Sequence, residues 1–97
     1  MTIAIDYDNT WTRDPAFWQV VIELGRKMGH EFVMVTGRSD DVPWSTEVLE
    51  SVRHIGLPVV FAGMMYKREA AEKKGWKPDV WIDDCPEYIG KQIHGRK

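Results

Sequence analysis

Two carboxylates stand two residues apart in Asp6-Tyr7-Asp8-Asn9-Thr10, directly behind the apolar triplet Ile3-Ala4-Ile5. In an extended chain such side chains share a face. A bend after Asp6 would let its carboxylate and the Asp8 backbone carbonyl meet one hard cation while the Asp8 carboxylate points elsewhere. One acid could then attack an electrophile and the other handle a proton. The competing reading is a simple turn, because Asp, Asn and Thr are ordinary turn formers. A second pair, Asp83-Asp84, follows the apolar triplet Val80-Trp81-Ile82 and could also cap a helix ahead of Pro86.

Positioning these groups requires elements that end where the polar residues begin. Four short apolar runs do so: Ile3–Ile5 before Asp6, Phe32–Val35 before Thr36, Pro58–Ala62 before Gly63, and Val80–Ile82 before Asp83. Unbroken β-rich runs are the mark of strands buried on both faces of a parallel sheet. Asp14-Pro15 supplies a cap and a first helical residue for a helix with Phe17, Val21, Leu24 and Met28 on its expected inner face. Val48, Leu49, Val52 and Ile55 repeat the pattern, from a start between Pro43 and Thr46 to a stop at Gly56. A third helix is expected from Lys67 to Lys74 with Ala70 and Ala71 inward, closed by Gly75, and a short fourth is expected to open at Pro86. The order βαβαβαβ(α) predicts an α/β fold: a three-layer, Rossmann-like domain with a parallel sheet of about four strands and right-handed crossovers. In such sheets ligands bind beyond the carboxyl ends of the strands, where Asp6, Thr36, Gly63 and Asp83 all fall.

Composition narrows the classes. The 97 residues, 43% hydrophobic, suit one domain over 1–97, and no run approaches the roughly 20 apolar residues that cross a bilayer, so no membrane partner is expected. The start lacks a secretory pattern, and the expected compartment is the cytoplasm. A lone Cys85 excludes an internal disulfide and a thiolate zinc site, and no Gly-x-x-x-x-Gly-Lys-Ser/Thr run exists. Charge is uneven, with 4 basic and 9 acidic residues in 1–50 against 9 and 6 in 51–97. Acids early and bases late would suit a bound cation with a phosphate above it.

Taken in order, these residues resemble the haloacid dehalogenase (HAD) superfamily of phosphotransferases. The first motif of that family, Asp-x-Asp-x-Thr, is matched by Asp6, Asp8 and Thr10. The second, often Thr-Gly-Arg, is matched by Thr36-Gly37-Arg38; the third, a helix-borne lysine, by Lys67; and the fourth, a pair of acids, by Asp83-Asp84. The resemblance implies a phosphatase in which Asp6 attacks phosphorus to form an aspartyl phosphate, and Asp8 is the general acid and then the base. It implies Mg2+ held by Asp6, the Asp8 carbonyl and an acid of the last pair. Asp84 aligns with the usual ligand, and Asp83 would act directly or through water.

Thr36, Gly37 and Lys67 would receive the phosphoryl oxygens, Lys67 being preferred over Lys73 and Lys74, which lie late in their helix. Thr10, Gly37, Arg38 and Trp11 are the expected substrate-binding residues. Arg38 could instead pair with Asp40 or Asp41. Trp11 and Trp44 follow the first two motifs, where an aromatic face could stack on a base or sugar or simply pack inward. The gaps after Asp8 and after Ala62 are too short for the cap domain that such enzymes commonly insert, so the resemblance is to a minimal, capless member. The expected substrate is a phosphorylated small molecule or, alternatively, a nucleotide or nucleic-acid end; a non-catalytic binding module is the third reading. An incomplete sheet edge would favour a homodimer, unless the basic tail around Ile93 covers it.

Overall fold

The computed structural model of the chain describes residues 1–90. Its strands are β1 (Thr2–Ile5), β2 (Glu31–Thr36), β3 (Val59–Phe61) and β4 (Val80–Ile82), and its helices are α1 (Pro15–Lys27), α2 (Trp44–Val52) and α3 (Lys67–Lys73). Every strand pair is parallel and the order is β3-β2-β1-β4. The fold is therefore α/β, with helices on both faces of a four-stranded parallel sheet in a small Rossmann-like arrangement. The chain adds β2 and β3 on one side of β1, then crosses back to place β4 on the other. The order thus reverses between β1 and β4, where such sheets open a crevice.

Alternate residues of the strands feed two cores, as the pleat requires. Ile3, Ile5, Phe32 and Met34 pack with Ile22 of α1 and with Val48 and Val52 of α2. On the opposite face Ala4, Val33, Val35 and Val60 pack with Ala70 and Ala71 of α3. Small residues here let α3 lie close to the sheet, which brings its first residue, Lys67, to the crevice. Asp14 caps α1 as expected, its carboxylate accepting from the Phe17 N–H at 3.2 Å, with Pro15 at the first helical position. A 3-10 turn over Arg53–Ile55 follows α2, and the chain leaves it through Gly56 at φ 61°. Another covers Pro86–Tyr88, where the short fourth helix was expected.

Of the expected inner face of α1 only Val21 packs against the core. Phe17, Leu24 and Met28 are 54%, 58% and 72% exposed, while Ile22 is fully buried and Trp18 and Val21 pack against the core. The apolar residues of α1 cover more of its circumference than the roughly 100° a core-facing stripe needs, so spacing alone could not choose between two stripes. Gly25 decides it: lying in line with Trp18 and Ile22, it admits the Phe32 ring so closely that a Cβ would meet it at 2.6 Å. Leu49 of α2 is likewise exposed beside buried Val48 and Val52. Among the described residues no helix is long and apolar enough to cross a membrane. The expectation for the tail around Ile93 falls outside the described residues.

Candidate active site

The first acidic residue is held at the end of β1 by both chemistry and backbone. The Asp6 N–H donates to the Ile82 carbonyl of β4 at 3.0 Å, and its own carbonyl accepts from the Trp11 N–H at 3.2 Å. Between them the chain turns, with Asn9 in the left-handed region at φ 62° and the Tyr7 carbonyl accepting from Thr10 and Thr12. The turn and the acidic constellation are thus the same object: the turn directs Asp6 into the crevice between β1 and β4.

Lys67, 4% exposed, reaches the same point from α3. Its Nζ donates to Asp6 Oδ1 at 2.8 Å and to Asp83 Oδ2 at 2.6 Å. The other oxygen of Asp83 accepts from the Cys85 N–H at 2.8 Å. The Thr10 hydroxyl lies 3.5 Å from Asp6 Oδ2 and 3.4 Å from Asp84 Oδ1. Oxygens of Asp6, Asp83 and Asp84 all fall within 4.8 Å of one another. Three carboxylates thus face one ammonium. The Asp6 carboxyl is raised to about 6, chiefly by burial; Lys67 opposes the rise, and Asp84 and Asp83 add to it. Burial alone would lower the Lys67 pKa, but its bonds to Asp6 and Asp83 prevail and raise it.

Arg38 organises the second half of the site. Its Nε and Nη2 form a fork on the two oxygens of Asp8, at 3.0 and 2.8 Å, while Nη1 reaches Glu47 at 3.1 Å. The guanidinium also lies 5.0 Å from the centre of the Tyr7 ring. The Asp8 carboxylate therefore turns away from the carboxylate cluster, as the spacing allowed. Arg38 pairs with Asp8 and Glu47 rather than with Asp40 or Asp41. Glu47 and Tyr7, whose hydroxyl lies 3.3 Å from Glu47, were not singled out in the sequence. The signal for Glu47 was its place in the first turn of α2, which the vague start of that helix concealed.

An open cavity of about 430 Å³ is bounded by Asp6, Asp8, Gly37, Arg38, Lys67 and Asp84. Six of the ten sequence-derived candidates thus meet around one space. Asn9, Gly63, Met65, Cys85 and Tyr88 complete its wall. Of these, Gly63 had been marked as the residue after the third apolar run, Asn9 as a turn former and Cys85 as the lone thiol, whereas Met65 carried no signal.

The other four candidates stand behind the wall. Asp83 is tied up by Lys67 and Cys85, and Thr10 supports Asp6 and Asp84 from beneath. Thr36 is fully buried, and its hydroxyl oxygen accepts from the Arg38 N–H at 3.2 Å, so it shapes the loop that carries Arg38. The expectation that Trp11 contacts substrate is overturned: the ring is 1% exposed within the core, and Nε1 donates to Ser51 Oγ at 2.8 Å. Of the two expected rim tryptophans only Trp44 is open to solvent, and it does not border the cavity.

Fold and site together define a parallel α/β domain with a carboxylate and lysine cluster at the carboxyl edge of its sheet, where the strand order reverses. No protein-family model matches the chain, and neither a curated protein nor a solved structure matches it.

Proposed function

We propose that the chain is a divalent-cation-dependent phosphomonoester hydrolase of the HAD type, with Asp6 as nucleophile. The observation that carries this reading is the buried Asp6 carboxylate, set at the switch point between Lys67 and Asp84 and facing an open cavity. Crowded carboxylates with too few cations fit a hard ion: Asp6 and Asp84, with the Asp8 carbonyl, would hold Mg2+. Both oxygens of Asp83 are engaged already, which favours Asp84 as the ligand from the second pair. When bound, the ion supplies the positive charge that lets an anionic phosphate approach anionic carboxylates.

An Asp6 oxygen attacks phosphorus in line; the Asp6–phosphorus bond forms as the ester oxygen–phosphorus bond breaks, and Asp8 protonates the departing oxygen. Water then attacks the aspartyl phosphate, Asp8 takes its proton, and phosphate and free Asp6 are released. Lys67 and the Gly37 N–H face the phosphoryl oxygens, and Asp83 fixes Lys67. For Asp8 to act, the Arg38 fork must open, and an anionic substrate competes for that guanidinium.

A small phosphorylated substrate suits the cavity better than a polymer end. Trp11 is withdrawn into the core, and Lys73 closes α3 at the end remote from Lys67. The Arg38–Asp8 fork favours a second reading, a module that binds cation and phosphate without turnover. Phosphate release from an aryl phosphate separates the two. Release with Mg2+, lost on chelation and in Asp6→Asn, supports hydrolysis; Mg2+ binding by folded protein without release from any phosphomonoester in a broad panel leaves the module.

A further inference from the structure

The cavity has two unlike walls. Asp8 and Arg38 form one, and Glu47 of α2 holds Arg38 from behind. The other is made by Gly63 and Met65, from the loop after β3, and by Cys85 and Tyr88, from the turn after β4. Met65 packs on the core beneath α3, so this second wall lies across the sheet from α2. Its two segments are clamped together. The Arg68 N–H donates to the Ile89 carbonyl at 2.9 Å, and a Cβ on Gly90, at φ 92°, would stand 3.0 Å from Tyr66 Cβ. Met65 and Tyr88 thus belong to one continuous wall that carries no charge.

The distribution of bases says what that wall does not bind. Among the described residues both bases at the cavity are already engaged, Lys67 by Asp6 and Asp83 and Arg38 by Asp8 and Glu47. Arg68, next along α3, is turned elsewhere: its guanidinium lies 5.6 Å from the centre of the Trp81 ring, and its Nε lies 3.4 Å from the Gly90 carbonyl. A second anionic group on a ligand would meet carboxylates and no free cation. The uncharged wall offers instead a thioether and a phenol ring, Tyr88 being 62% exposed. Both groups make favourable contacts with the flat face or edge of another ring. There is room for one, because a cavity of about 430 Å³ is of the size that encloses a whole small molecule, and a phosphoryl group fills a minor part of it.

We propose that the alcohol side of the substrate carries an uncharged flat ring, which lies against Tyr88 and Met65 while the phosphoryl group meets Asp6 and Lys67. This rests on the phosphomonoester site described above and makes Tyr88 a specificity-determining residue. An aryl ester and a nucleoside monophosphate share the chemistry.

The test is calorimetric binding of phosphonates, which are not hydrolysed, to the full chain in Mg2+. The parent is expected to bind 2-phenylethylphosphonate at least about fivefold more tightly than ethylphosphonate, the lower end of what ring stacking supplies. Tyr88→Phe should keep that preference and Tyr88→Ala should lose it, with circular dichroism confirming that both are folded. A carboxylate on the ring of the probe should weaken binding. Equal affinity for the two phosphonates overturns the inference, as does a preference that survives Tyr88→Ala or a carboxylated ring that binds more tightly. Failure to bind any phosphonate defeats the phosphate site itself, and turnover of an aryl phosphate reports on hydrolysis separately. Comparing a nucleoside 5′-monophosphate with ribose 5-phosphate distinguishes the sources: a preference for the nucleotide assigns the ring to a base, and its absence assigns it to an aryl ester.

Discussion

At the residue scale, Lys67 makes the acidic cluster tolerable. Its ammonium sits between two buried carboxylates, with side-chain exposures of 6% for Lys67, 6% for Asp6 and 2% for Asp83. Removing one partner of such a pair leaves uncompensated buried charge and costs about 3–5 kcal/mol. Lys67→Met should therefore unfold at markedly lower temperature at pH 7 and regain part of the loss in acid, where Asp6 takes a proton; a melting series across pH reads both effects. The two acids of the last pair should separate in kind. Asp84→Asn is expected to abolish the rise in melting temperature that Mg2+ gives the parent. Asp83→Asn should keep that rise while lowering the baseline, because it loosens Lys67 and the Cys85 N–H.

Much of this cluster was legible in the chain because each acid closes an apolar run, which places it at a strand end without further information. Thr10, Thr36 and Trp11 were not. Hydroxyls and an indole serve equally as ligands or as internal partners; what decides is a neighbour far along the chain for Thr10 and Trp11, Asp84 and Ser51 respectively, and the local bend that brings the Arg38 N–H back for Thr36. Arg38 was legible as an important residue but not as one that binds Asp8, 30 residues away.

At the scale of elements, the strands emerged from the sequence nearly to the residue, since a buried parallel strand must be apolar on both faces and its polar successor marks the exit. The face of α1 did not emerge, because its apolar arc serves both the core and the outer stripe. Gly25 should therefore be the sensitive position. Alanine is the better helix former by about 1 kcal/mol. The added methyl, however, would stand 2.6 Å from the Phe32 ring, which is 3% exposed and packed between α1 and the sheet. Overpacking of a buried ring costs about 1–3 kcal/mol, so Gly25→Ala is expected to be net destabilising, by about 1 kcal/mol in urea melts. Pairing it with Phe32→Leu should recover part of the loss; if Gly25→Ala alone stabilises, the close approach of helix and strand is wrong.

At the scale of the whole molecule, the crowded site ties folding to pH and to cation supply. Asp6 ionises near 3.8 when unfolded and at about 6 in the folded protein. Between these values the folded state holds a proton that the unfolded state has released, so the stability of the cation-free protein falls as pH rises through that window. Below it the contribution is fully present, and above about 6 it is gone. At 1.36 kcal/mol per pH unit, the raised carboxyl amounts to about 3 kcal/mol, or on the order of 10 °C in melting temperature for a domain of this size. Asp6→Asn removes the titrating group. In chelator the melting temperature of the parent should decline against that of the variant between pH 4 and pH 6.5, and the two should run parallel at higher pH. Above pH 6 a divalent cation can take the place of the lost proton, so Mg2+ should raise the parent and leave Asp6→Asn nearly unmoved. Parallel curves over the whole range would mean that Asp6 is not strained by its neighbours, and the case for a cation at this site would lose its electrostatic basis.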